Sequence, residues 1–245
     1  MRGTPQDVIS ESGPAAIRLQ PGRCLTLMLG IIALLTTAGI ATDVLRGLGH
    51  AEAYGLVRLF NTSHEANVPA FYSSISLLGS AILLWFIANV APVEQRKHWK
   101  ALAALLFLLS LDESAQLHEL MIRPTREFLH ASGVLYFGWV IVAIPILAAI
   151  AVTFVPFVLR LPKKIRRLMA TAASMLVFGA VGMEMVGAPY AEKYGEVYLP
   201  YRFITDVEEF LEMVAVALWN YALLCHLHAL LLESNREGIV ITTRL

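Results

Sequence analysis

The sequence predicts an all-α protein, a polytopic bundle of six transmembrane helices with both termini in the cytoplasm. Of its 245 residues, 57% are hydrophobic and only 16% are charged, whereas an average soluble domain has about 25% charged residues. The mean hydropathy is +0.64, and apolar stretches long enough to cross a bilayer recur six times. This composition excludes a disordered, collagen-like or disulfide-stapled chain. The net charge of zero provides no basic field for nucleic acid, which we exclude as a partner.

The six spans follow from the apolar runs and the residues that flank them. They are predicted at residues 24–46, 68–91, 100–122, 134–159, 167–188 and 206–232. The first follows a polar segment of 23 residues, which indicates an uncleaved anchor, with cleavage near Ala41 as the alternative. The second begins at Asn67 and Pro69, which are typical of a helix start. The fourth has no charged residue between Leu135 and Leu159 and is expected to face lipid.

The distribution of lysine and arginine predicts the orientation of the bundle. Thirteen of the nineteen basic residues fall in the N-terminal segment, the second and fourth loops and the C-terminal tail. Basic residues concentrate on the cytoplasmic side of membrane proteins. Residues 1–23 and the short tail 233–245 are therefore predicted to be cytoplasmic, on either side of a transmembrane domain at 24–232. The predicted location is the inner (cytoplasmic) membrane, with the lipid bilayer as a partner.

Acidic residues within the spans are the strongest functional signal, because a charge in the membrane is costly. On the predicted topology they lie in the outer half of the bundle, with Asp112 near the membrane midplane. Asp112, Gln116 and Glu119 would share one face of a continuous third span. For Asp206 and Glu208, an explanation as good as membership of this acidic group is that acidic residues are favoured near a helix N-terminus. The candidate metal ligands are Asp112, Glu113, His118, Glu119, Glu184, Glu209 and Glu212, with Glu65 as a peripheral member.

The clustering of these acids predicts a bound cation. Carboxylates at one depth in a low dielectric repel one another, so protons or a cation must neutralise them. Oxygen ligands with one imidazole suit iron or manganese best, with magnesium, calcium or zinc as further candidates. The leading hypothesis is an integral membrane metalloprotein with a carboxylate-rich site of one or two metal ions.

The reaction, if there is one, is left open by the sequence. As an enzyme the protein would be a metal-dependent oxidoreductase or hydrolase that acts on a lipophilic small molecule entering from the bilayer. The alternatives are a proton- or cation-translocating transporter and a structural subunit of a larger membrane complex.

Three short motifs carry a resemblance to a known type of protein. They are Glu65-x-Asn67-x-Pro69, Ser110-Leu111-Asp112-Glu113 followed by His118-Glu119, and Glu208-Glu209-x-x-Glu212. Their pattern resembles that of uncharacterised bacterial multipass membrane proteins over residues 58–215. The resemblance implies that these residues belong to one group, and it implies no particular activity.

Overall fold

The computed structural model describes residues 20–50, 55–61 and 66–236, and the regular elements within these ranges are all helical. The helices are α1 (Pro21–Gly47), α2 (Leu56–Phe60), α3 (Val68–Val90), α4 (Val93–Ala115), α5 (Glu119–Leu129), α6 (Trp139–Val158), α7 (Lys163–Val177), α8 (Glu184–Tyr194) and α9 (Leu199–Arg236). A 3-10 turn (Gly133–Leu135) precedes α6, and a π-helical turn (Phe178–Met183) joins α7 to α8. The predicted all-α class is confirmed for the described part of the chain.

Five segments of the described chain are long and apolar enough to cross a membrane. They are Pro21–Gly47, Val68–Val90, Trp139–Val158, Lys163–Tyr194 and Leu199–Glu233, and they indicate a multi-pass membrane protein. Helix α4 corresponds to the predicted third span but is not among them, because basic residues crowd its start and acidic residues its end. Its 23 residues extend for about 34 Å, which is enough for a hydrocarbon core of about 30 Å.

Helix α9 is central, and α1, α3 and α7 pack against it. On one side, Ala217 lies in a buried cluster with Ile32 and Leu35 of α1. On another side, the Ser80 hydroxyl of α3 donates a hydrogen bond to the Asn220 side chain at 3.0 Å. Small residues and interhelical hydrogen bonds are typical of helix contacts in membrane proteins, where packing holds the bundle together.

Helices α3 and α4 form an antiparallel hairpin, since only two residues separate them. Two serines exchange hydrogen bonds between the start of α3 and the end of α4. Ser74 Oγ donates to the Ser110 carbonyl at 2.9 Å, and Ser110 Oγ donates to the Ser74 carbonyl at 2.8 Å. These contacts align the two helices, so that the acidic end of α4 lies beside the start of α3.

The two ends of the bundle differ in charge, and we name them accordingly. At the basic end, Trp99 near the start of α4 packs in the same core as Phe157, Leu161 and Ile165, where α6 leads into α7. The basic residues of the two connections therefore meet there: Arg96, Lys97, Lys100, Arg160, Lys163, Lys164, Arg166 and Arg167. The acidic end is the opposite one, where α4 ends and α3, α6 and α9 begin. Buried apolar side chains around Trp99 fill the bundle toward the basic end.

Helix α6 forms a peripheral wall that is held mainly at its two ends. Only Val140 and Phe157 are buried in it, and its neighbours along the bundle are α5 and α7. Its interior prolines, Pro145 and Pro156, each remove a main-chain hydrogen bond from the helix. The span is expected to face lipid, and the structure adds that part of its surface lines a cavity.

The predicted third span does not continue to residue 122, because the helix breaks at Gln116. Helix α4 ends at Ala115, and Gln116 adopts a left-handed backbone conformation with φ 56° and ψ 41°. The Asp112 carboxylate accepts the main-chain N–H of His118 at 2.8 Å, which stabilises the turn. Asp112, Gln116 and Glu119 therefore do not share a helical face. Asp112 also lies about 28 Å along α4, near its end rather than at its middle.

Candidate functional site

A cavity of about 900 Å³ is lined by residues of the helices α3 to α9. Part of its wall is apolar and is formed by Leu77, Leu105, Leu109, Ile146, Leu147, Ile150, Leu176 and Val177. Nine carboxyl groups of the described part of the chain line it toward the acidic end: Asp112, Glu113, Glu119, Glu127, Glu184, Glu196, Glu208, Glu209 and Glu212. One continuous space therefore has an apolar part and an acidic part.

This cavity brings together the seven predicted ligands that lie in the described part of the chain. Asp112 and Glu113 come from α4, His118 and Glu119 from the turn and the start of α5, Glu184 from α8, and Glu209 and Glu212 from α9. Glu65 lies outside the described residues. The grouping arises because several helix ends meet at the acidic end, and not from a single helical face.

Asp112 and His118 form a pair across the turn after α4. His118 Nδ1 lies 3.0 Å from Asp112 Oδ2, while the His118 main-chain N–H donates to Asp112 Oδ1 at 2.8 Å. The carboxylate thereby orients the ring and favours the tautomer with its proton on Nδ1. Nε2 is then the nitrogen that can accept a proton or coordinate a cation. The ring packs against Trp139, with the two centroids 5.1 Å apart.

The side chains of Glu184 and Glu208 lie close together where α8 meets α9. The indole N–H of Trp139 donates to Glu184 Oε1 at 3.3 Å. This contact joins α6 to α8 in the corner of the cavity where Glu208 of α9 also lies.

Gly179 allows the π-helical turn to approach α9 closely beside Glu212. A Cβ atom on Gly179 would lie 2.9 Å from Glu212 Cγ and 3.4 Å from the Glu208 carbonyl oxygen. The turn directly precedes Glu184, and π-helical turns within α-helices are frequent at functional sites. A residue without a side chain is therefore needed where this turn meets the acids of α9.

Replacing Gly179 with alanine is expected to destabilise the protein by about 1–3 kcal/mol, because the added methyl group overpacks this contact. Gly30→Ala is the matched control, since the Cβ added there meets no described atom within 4 Å outside its own helix backbone. Alanine in a helix is favoured over glycine by about 0.5–1 kcal/mol, so this control should be neutral or stabilising. SDS titration in mixed micelles measures both. Equal stabilities of the two variants would contradict the close contact.

Several residues that line the cavity were not among the predicted ligands, including Glu127, Glu196, Glu208, Trp139 and Arg126. Glu208 has a sequence signal, because its spacing of four residues from Glu212 places both on one helical face. Trp139 reaches Glu184 from a different helix, and no sequence pattern links the two. Arg126 also lines the cavity, and its guanidinium carbon lies 3.9 Å from the centroid of the Tyr136 ring.

The acidic residues do not converge on one point. Among the described residues, no group of three or more His, Cys, Asp or Glu side chains has an arrangement that could hold a metal ion. The predicted resident metal site is therefore not supported by the arrangement of the side chains. What the described chain has instead is a broad acidic wall that faces an open volume.

A buried ion pair lies at the acidic end, where α1 meets α9. Arg202 Nη1 is 3.6 Å from Asp43 Oδ1, which also accepts a hydrogen bond from Asn61 Nδ2 at 2.6 Å. Asn67 Nδ2 in turn donates to the Asn61 carbonyl at 2.6 Å. This network ties α1, α2 and the start of α3 to the part of α9 that precedes its three glutamates.

Comparison with known proteins assigns the chain to a family. Residues 28–226 match a family model described as Domain of unknown function (DUF8692). The chain belongs to this family. The DUF8692 match includes the whole described cavity and the ion pair, which agrees with the resemblance to a family of unknown function. No curated protein and no solved structure matches this DUF8692 chain.

Proposed function

We propose that this protein is a six-span membrane protein whose cavity binds a lipid-soluble molecule carrying a positively charged group. The observation that carries the proposal is the continuity of an apolar wall and nine carboxyl groups within one space of about 900 Å³. Sites for drug-sized molecules have volumes of about 300–1,000 Å³. A bare ion needs far less room and no apolar wall.

The six-span topology is supported by the α3–α4 hairpin. Because the two helices are antiparallel and packed together, a crossing by α3 brings α4 back across the same bilayer. Six crossings put both termini on one side, and the basic end then faces the cytoplasm. The acidic part of the cavity lies toward the outer side of the inner membrane in this arrangement.

Access from the lipid is supported by the thin wall that α6 provides. Helix α6 contributes Ile146, Leu147 and Ile150 to the apolar wall of the cavity, and no residue between Val140 and Phe157 is buried. A lipid-soluble ligand can therefore reach the apolar wall beside α6 without passing through water. The packed core around Trp99 closes the bundle toward the basic end, which favours binding over transport.

The charge of the cavity favours a cationic ligand. Its nine carboxyl groups face two arginines, Arg123 and Arg126, and His118. Uncompensated charges in a low dielectric are costly. An ammonium group supplies opposite charge and donates charge-assisted hydrogen bonds to carboxylates.

A divalent cation at the acidic end is the second candidate, and the Asp112–His118 pair favours it. Histidines that bind metals usually donate their other ring N–H to a carboxylate or a carbonyl, as His118 does to Asp112. His118 Nε2 with carboxyl oxygens from neighbouring helices would suit iron or manganese. This candidate requires the carboxyl groups to move closer together than they are in the structure.

A binding assay with three twelve-carbon ligands tests the leading proposal. Native mass spectrometry of the purified full chain would compare dodecylamine, dodecanol and dodecanoic acid. We expect the amine to bind at least about tenfold more tightly, because one hydrogen bond between charged groups contributes about 1.5–3 kcal/mol. Similar binding of all three ligands would overturn the proposal.

Two double variants identify where the amine binds. Glu208→Gln with Glu212→Gln neutralises part of the acidic wall and should weaken amine binding about tenfold or more. Glu94→Gln with Glu233→Gln removes two exposed charges at the basic end and should leave it unchanged. Elemental analysis of the same preparations, purified without chelators, tests the second candidate. A divalent cation would be favoured if the parent protein contains a stoichiometric metal, the Glu208→Gln/Glu212→Gln variant loses it, and the amine binds no more tightly than the other two ligands.

A further inference from the structure

We infer that α5 lies in the membrane–water interface at the acidic end, with one face inserted into the lipid. Helix α5 has no buried residue, which is unusual for an element between two long helices. Leu120 is 70% exposed and Phe128 is 84% exposed. At 100° per residue, Leu120, Met121, Pro124 and Phe128 fall within an arc of about 100°. These four residues form an exposed apolar stripe.

The remaining surface of α5 has a different character. Arg123 and Glu127 form an ion pair of 3.5 Å with both side chains largely exposed, on the flank next to the stripe. The opposite surface faces the protein, where a Cβ on Gly138 would lie 2.7 Å from the Arg126 main-chain nitrogen. A helix that lies flat on a membrane has an apolar face toward the lipid and charged residues beside it. Helix α5 has both, and its opposite face packs against the protein.

The bilayer is the occupant that the position of α5 favours. Three residues separate it from α4 and nine from α6, so it is held where the bundle leaves the hydrocarbon core. Its 11 residues extend for only about 16 Å and cannot cross a core of about 30 Å. Exposed apolar side chains of α6, such as Ile144 and Val152, would contact the same bilayer in the proposed topology.

This placement has a consequence for the cavity. Met121, Ile122 and Arg123 line the cavity and also belong to α5, so the rim of the acidic part lies at the level of the lipid headgroups. The inference rests on the membrane topology and not on the identity of the ligand. A failure of the amine-binding assay would therefore leave it standing.

Spin labelling tests the depth of α5 in the bilayer. In a background of Cys24→Ala and Cys225→Ala, single cysteines at Phe128, Leu120 and Arg123 would carry a nitroxide, with the full chain in phosphatidylcholine vesicles. Oxygen concentrates in lipid, and nickel-EDDA stays in water. We expect the ratio of oxygen to nickel collisions to be several-fold higher for Phe128→Cys and Leu120→Cys than for Arg123→Cys.

Two results would overturn the inference. Labels at both apolar positions that collide mainly with nickel-EDDA would place the stripe in water. Labels that neither reagent reaches would place another protein, or a second copy of this chain, on the stripe. Leu120 and Phe128 are separate sites, so if one variant fails to fold, the label at the other position still tests the inference.

Discussion

Arg202→Ala is expected to lower the free energy of unfolding by about 3–5 kcal/mol, the usual cost of removing one partner from a buried ion pair. Arg202 and Asp43 are almost fully shielded from solvent, with side chains 7% and 0% exposed. The variant removes the positive charge that neutralises the Asp43 carboxylate. Water can reach this carboxylate only if the contact between α1 and α9 opens. SDS titration in mixed micelles, or the apparent melting temperature where unfolding is irreversible, measures the loss.

The chain contains its own control for this prediction. Arg123→Ala breaks an ion pair of 3.5 Å in which both side chains are mostly exposed, and exposed pairs contribute only about 0–1 kcal/mol. Arg202→Met combined with Asp43→Asn removes both buried charges and keeps an oxygen that can accept the Asn61 hydrogen bond. This double variant should regain most of the stability. If Arg202→Ala and Arg123→Ala were equally mild, the buried pair would have no structural role.

Trp99→Ala is expected to cost about 3–5 kcal/mol, as is typical when a large buried aromatic side chain is truncated. Trp99 is fully buried, stands edge-on to Phe157 with centroids 4.9 Å apart, and donates its indole N–H to Gln95 Oε1 at 3.3 Å. The variant leaves a void where α4, α6 and α9 converge, and the loss is measured by the same titration.

Trp85→Ala serves as the comparison for Trp99→Ala. Trp85 is 53% exposed on the outer surface of α3, so lipid can fill the space that its ring vacates. We expect a loss of about 1 kcal/mol, because the site is exposed and the contact between Lys100 Nζ and the Trp85 ring, at 5.3 Å from the centroid, contributes about 0.5–1 kcal/mol. Equal losses for the two tryptophans would mean that the basic end is not a packed core.

The long helices were predictable because lipid imposes a simple rule on sequence. A helix that crosses the hydrocarbon must be apolar for about 20 residues, and this signal is local. Five of the six predicted spans correspond to segments that can cross a membrane. The break at Gln116 was not predictable in the same way. It depends on one left-handed residue and on the Asp112 carboxylate, whose contact with His118 is visible only in three dimensions.

The acidic wall was predictable to a similar degree, because the positions of lysine and arginine predict which helix ends lie together. The same reasoning could not find the ion pair of Asp43 and Arg202, since 159 positions separate them in the sequence. It also could not show whether the acids would converge on one point or face an open space. That outcome depends on close contacts such as Gly179 against Glu212.

The manner in which α6 is held has a mechanical consequence. Helix α6 is anchored at Val140 and Phe157 and lacks main-chain hydrogen bonds at Pro145 and Pro156, one near each end, so it can bend between its two anchors. If the cavity binds a ligand as proposed, outward bending of α6 would enlarge the space behind it and displace lipid, so that binding of a wide ligand would work against the lateral pressure of the bilayer. The composition of the surrounding membrane would then be part of the binding equilibrium, and more tightly packed acyl chains would favour narrower ligands.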